Sequence, residues 1–224
     1  MKIFPRIKSR LTCLLFLPIV LFSLCACKTK VEYFDYVSEL RSNIFLARNE
    51  DFSLRAYAVE KEIPYAPDGI KRETSKRAEI FLIAPSGEQA CELYFTIDEN
   101  TYGGEMSFDN VRAEYYFSCT LDISTLQTIT FELRYGESCL ELTANSVKTA
   151  STLSPNDTLK TLIASEQELF ASLTDKYGFA GEIYIRLLYE EAPYYYVGVM
   201  DRNGNSYAFL INAASGKILA KRQN

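Results

Sequence analysis

Residues 127–147, QTITFELRYGESCLELTANSV, decide the reading of the fold. Their side chains follow a period of two, broken at Gly136, so the stretch reads as two short strands, 127–135 and 138–147. The same period runs back to Ile44. Phe52, Leu54, Ala56 and Ala58 alternate with other side chains, and 78–84, 90–97 and 112–121 read as further strands. Asp51, Pro67-Asp68-Gly69, Ser86-Gly87 and Gly103-Gly104 punctuate them. Several short strands with no long helix between them predict an antiparallel β-sandwich over 44–150. Strand parity points Leu93, Phe95, Ile97, Tyr115, Phe117 and Leu121 inward. It also places Cys91 and Cys119 inside and Cys139 outside; spacing alone leaves a Cys91–Cys119 bridge open.

After the sandwich the signal changes. Ser151–Pro155 is a polar, proline-bearing break and marks a domain boundary, with a second domain at 151–224. Ser154 caps a helix whose first position is Pro155. Leu159, Leu162, Ile163, Leu169, Phe170 and Leu173 continue at helical spacing, Ser165-x-x-Glu168 divides the helix in two, and Gly178 ends it. Strands 182–189, 194–200 and 206–211 follow, with a hairpin turn at Asp201–Gly204 and an edge strand at 217–220. The second domain is thus α+β, a helix on an antiparallel sheet. In 194–200 the aliphatic set of Val197 and Val199 should face the helix and bury Tyr195. Tyr194 and Tyr196 should stand on the open face with Tyr184 or Tyr207, a candidate binding surface for a peptide or protein.

Toward the N-terminus, Tyr33, Tyr36, Val37, Leu40 and Ile44 recur at helical spacing and predict a short helix over 32–43, so 27–43 reads as tether plus helix. Before it, Lys2, Arg6, Lys8 and Arg10 precede an apolar run from Leu11 to Ala26, the layout of an export signal at 1–26. That run spans only about 24 Å as a helix, short of a hydrocarbon core of about 30 Å. Its removal takes away four basic groups and no acid, leaving a more acidic chain.

Two resemblances add to this reading. Leu24-Cys25-Ala26-Cys27 resembles the lipobox of bacterial lipoproteins. The resemblance implies cleavage after Ala26, acylation of Cys27, a membrane partner reached through that lipid anchor, and a place on the outer face of the cell membrane. The other reading is an ordinary signal peptide cut near Ala26. The run YYYVGVMDRNGNSYAFLINAASGKIL, residues 194–219, resembles the closing hairpin of PepSY-type modules, with Asn212 in place of their usual aspartate. Those modules carry no catalytic residues and are associated with propeptides and peptidase regulation in secreted and anchored proteins.

Composition narrows the chemistry. The 224-residue chain has 24 basic and 29 acidic side chains and no histidine or tryptophan. The acidic balance argues against nucleic acid, which needs a basic face. Without histidine there is no Ser-His-Asp or Cys-His catalysis and no histidine-bearing zinc site. No Ser-x-x-Lys, Gly-x-Ser-x-Gly or P-loop motif occurs. Asp98, Glu99, Glu105 and Asp109 gather around Gly103-Gly104. They could hold a hard cation or serve as acid and base in glycoside hydrolysis, though a solvated hairpin accounts for them more simply. Lys71, Arg72, Lys76 and Arg77 form a basic loop that reads as solvated, with anionic lipid as the alternative contact. The expectation is therefore a lipid-anchored, non-catalytic envelope protein without a cofactor that binds a peptide or protein. The rivals are a carboxylate-based hydrolase of wall glycan and a structural or assembly lipoprotein.

Overall fold

The architecture turns on one long strand, β1 (Val37–Arg48), which has more neighbours than a strand has edges. In the computed structural model, residues 31–64, 72–85 and 89–224 are described. The signal segment 1–26, Cys27, the Pro67–Gly69 turn, Lys71 and Ser86-Gly87 lie outside them.

Along one edge, β1 pairs with β2 (Ser53–Glu62) from Glu39↔Lys61 to Arg48↔Ser53. The other edge is shared. Val37–Arg41 pairs in parallel with β12 (Gly181–Tyr189), whereas Phe45 and Leu46 pair antiparallel with β9 (Ser138–Ser146). The exchange happens at a register shift between Arg41 and Asn43. Asn43 fills the fork and is fully buried. Its Nδ2 donates to the carbonyls of Ser124 and Leu126 at 3.2 and 3.1 Å, and its Oδ1 accepts from Ile44 N and Ser146 Oγ at 2.9 and 2.7 Å.

This overturns the helix expected over 32–43. Only Tyr33–Tyr36 forms a single 3₁₀ turn, and the rest is strand. Apolar residues fall on both sides of this strand, and the bulge shifts their parity. Leu40 and Ile44 then fall at helical spacing although the chain is extended.

From β2 the sheet continues through β3 (Thr74–Ile83) to β7 (Glu114–Cys119) and β6 (Ser107–Asp109). From β9 it continues through β8 (Thr128–Tyr135) to β4 (Cys91–Ile97) and β5 (Asn100–Glu105). Only Met106 separates β5 from β6, and its N–H donates to the Cys91 carbonyl at 2.8 Å. The sheet is thus nearly closed and barrel-like, where two facing sheets had been expected. Small and large side chains alternate across its interior. Ala56, Ala78 and Ala144 sit among Phe45, Leu54, Ile80, Leu82, Leu93, Phe131 and Leu133, all buried. Leu93, Phe95 and Tyr115 point inward as parity requires, and Ile97, Phe117 and Leu121 pack against the same core.

On the other side of β1 the sheet runs β12, β13 (Pro193–Asp201), β14 (Ser206–Asn212) and β15 (Ile218–Gln223), all antiparallel. Two helices lie over it, α1 (Pro155–Ser165) and α2 (Gln167–Ser172). Ser154 caps α1 by accepting from Asp157 N, with Pro155 in the first turn. The break after Ser165 is present, but Ser165 Oγ donates back to the Thr161 carbonyl instead of capping α2. Gly178 does not end a helix. It opens the second strand of a small hairpin, β10 (Thr174–Asp175) with β11 (Gly178–Phe179).

The stretch Ser151–Pro155, where the sequence predicts a boundary, connects two sides of one sheet. Glu32–Asn224 forms one compact unit. No helix among the described residues is long and apolar enough to cross a membrane.

Candidate binding site

Parity on β13 separates its two faces. Tyr195, Val197 and Val199 are buried under the helices with Leu159, Leu162 and Phe170. The Tyr195 hydroxyl donates to the Leu153 carbonyl at 2.8 Å, and burial pushes that phenol well above its usual range. Tyr194 and Tyr196 lie half-buried on the opposite, helix-free face. Tyr184 joins them from β12, where it stands opposite Gly198. A Cβ at residue 198 would come within 2.0 Å of the Tyr184 ring, so the glycine is the seat on which that ring lies. The ring stacks on Tyr196, with centroids 5.9 Å apart and planes at 30°. Tyr207 is not part of this surface. It pairs with Val199, and paired residues share a face, so it belongs to the helix side.

The aromatic surface does not stop at β12. Arg186 lies 5.3 Å from the Tyr184 ring centre and grips Glu39 with two parallel bonds, Nε to Oε1 at 2.7 Å and Nη2 to Oε2 at 2.6 Å. On the same face of β1 the Arg41 guanidinium lies 4.1 Å above the Tyr57 ring. Tyr57 is 5.6 Å from Phe81, and Phe81 is 5.0 Å from Tyr116. Arg55 covers Phe81 at 5.3 Å and pairs with Glu114. A row of rings and guanidiniums therefore crosses six strands, from β13 to β7. Arg41, Tyr57, Arg186 and Glu39 escape a sequence reading because a helix assigned to 32–43 removes the strand that joins the two aromatic groups.

Beyond the Arg41↔Arg186 pair, β1 and β12 part company. Their divergence leaves a groove of about 770 Å³ on the aromatic face. Arg41, Ile44 and Leu46 line one wall, and Leu188, Tyr194 and Leu210 line the other. Glu190 stands among the lining residues as an acid.

The acidic candidates are not gathered. Asp98 and Glu99 form the β4–β5 turn itself, at φ +47° and +68°, and are exposed. Glu105 ends β5, about 20 Å along an extended chain from that turn. Asp109 ends β6 and accepts from the amides of Val111 and Arg112. Gly103, expected in the turn, lies within β5, where a Cβ would meet the Leu93 carbonyl oxygen at 2.1 Å and only glycine fits. Among the described residues no group of three or more acids and cysteines could hold a metal ion.

The basic residues of 72–77 are locally engaged. Arg72 meets Glu62 at 3.6 Å, Lys76 meets Asp122 at 2.6 Å, and Arg77 donates to Ser118 Oγ at 2.9 Å. Burial alone would raise the Asp122 carboxyl, but bonds from Lys76 and Ser124 outweigh it and hold it at about 2. Cys91 and Cys119 are free thiols, as is the exposed Cys139. Burial pushes the Cys91 thiol up to about 12.

No protein-family model, curated protein or solved structure matches the chain.

Proposed function

We propose that this is a non-catalytic, lipid-anchored protein of the cell envelope that binds a peptide or protein partner. The anchor is the acylated Cys27, which follows a signal at 1–26 and places the chain on the outer face of the membrane. Residues 151–224, two helices laid over an antiparallel meander, act as its PepSY-like unit. The observation that carries the reading is the helix-free face of β12 and β13, where Tyr184 and Tyr196 lie stacked and half-exposed beside a fixed arginine. Rings held in place lose little freedom when a partner covers them, which suits a binding surface.

Two measurements test this. Cells fed an alkynyl fatty acid should label the wild-type chain and not Cys27→Ser; equal labelling removes the anchor. Residues 28–224, which retain the whole compact unit, should retain a partner from envelope extract, and Tyr184→Ala with Tyr196→Ala should lose it while melting like the wild type. Undiminished capture by a folded double variant removes the tyrosine face from the reading.

A further inference from the structure

The groove where β1 and β12 diverge joins an apolar lining to a cation that has no ion pair among the described residues. Ile44, Leu46, Leu188 and Leu210 supply the lining. Arg41 supplies the charge. Its Nε is shut off from solvent and has no hydrogen-bond partner among the described residues. The two carboxylates that act on it are committed elsewhere, Glu39 to Arg186 and Glu79 to Lys61 at 2.8 Å. Burial disfavours the charge on Arg41, and the neighbouring Arg186 disfavours it further, while the Tyr57 ring stacks against it. Arg55, the other cation on the lining, is already paired with Glu114.

We infer that this groove is a site for a small amphiphilic monocarboxylate, its head on Arg41 and its hydrocarbon body along Ile44, Leu188 and Leu210. A volume of about 770 Å³ suits a small ligand, and a mostly apolar lining with a cation unpaired among the described residues matches a molecule with one anionic end. Glu190 on the same lining opposes a second anionic group, which sets a fatty acid apart from a dianion or an acidic peptide. A carboxylate in the groove would give Arg41 the charge-assisted partner that Arg186 already has in Glu39. The inference goes beyond the tyrosine face, since the groove can fill whether or not a protein covers Tyr184 and Tyr196.

Calorimetric titration of residues 28–224 below the micellar range tests it with three ten-carbon probes: decanoate, decan-1-ol and decyltrimethylammonium. Wild type should prefer decanoate over the other two by about tenfold or more, the scale of a charge-assisted hydrogen bond. Arg41→Met should lose that preference but keep the binding of decan-1-ol, and Arg41→Lys should retain part of it. Leu210→Gln should weaken decanoate and decan-1-ol alike. Wild type that binds decan-1-ol as tightly as decanoate, or that binds neither, overturns the inference without any variant. So does a folded Arg41→Met that keeps the preference.

Discussion

The barrel and the helix-covered sheet solve one problem in two ways. Each has a strand face too apolar for water. The barrel curls its sheet until the face meets itself, and alanines at 56, 78 and 144 make the room that closure needs. The meander β12–β15 stays open and lays α1 and α2 over its apolar side, and Tyr195, Phe209 and Phe170 are buried there. The difference teaches where a surface for other molecules can arise. Curling or covering hides one face, and in both regions it is the same side of β1. The other side runs unbroken from β13 to β7 and gathers the rings and guanidiniums.

The comparison can be broken first in the barrel core. Phe131 is fully buried there and Phe170 nearly so beneath the meander. Either change to alanine should cost about 3–5 kcal/mol. If the two regions melt as one unit through β1, urea unfolding of each variant should remain a single transition seen alike by near- and far-ultraviolet dichroism. Separate transitions would show that they are held together only loosely.

A smaller effect should come from the fork. Asn43→Ala removes four hydrogen bonds at a fully buried site and should cost about 3 kcal/mol. Hydrogen exchange sharpens the result. Protection should fall on both the β9 and the β12 side of β1, whereas loss on one side alone would assign Asn43 to one region.

The smallest effect belongs to the barrel's surface. Asp122 has a carboxyl held at about 2, below its ordinary value, so its contribution is present above about pH 4 and is lost as pH falls through about 2. Because the pair with Lys76 is largely exposed, the gain is modest. Asp122→Asn should lower the melting temperature slightly at pH 7, and by clearly less at pH 2, where the carboxyl is already partly protonated. A difference as large at pH 2 as at pH 7 would place the effect outside that ion pair.

What the sequence reveals follows the range of the interactions. The β8–β9 and β13–β14 hairpins, the Ser154 cap and the buried side of Tyr195, Val197 and Val199 all follow from residues close in the chain. The turn at Asp98-Glu99 is hidden because Gly103-Gly104 are the stronger turn signal, yet the glycine at 103 serves a close backbone approach. Tyr207 was expected beside Tyr194, and only the pairing with Val199 sends it to the other face. The strand character of β1 depends on β12, more than a hundred residues later, and no local pattern announces such a partner. The groove shares that origin, since it exists only where those two strands separate.

The parallel pairing of β1 with β12 also sets an order of events in the life of the chain. Among the described strands β1 is synthesised first, yet residues 181–189, which complete its edge at Val37–Arg41, follow only after eight others along the sheet. A nascent chain that stops short of them can close much of the barrel but leaves the first half of β1 with bare amides and carbonyls along one side. Such an edge is a template for the wrong partner until synthesis is almost finished. The chain opens its sheet with β1 and can seal that edge only with a strand made more than a hundred residues later.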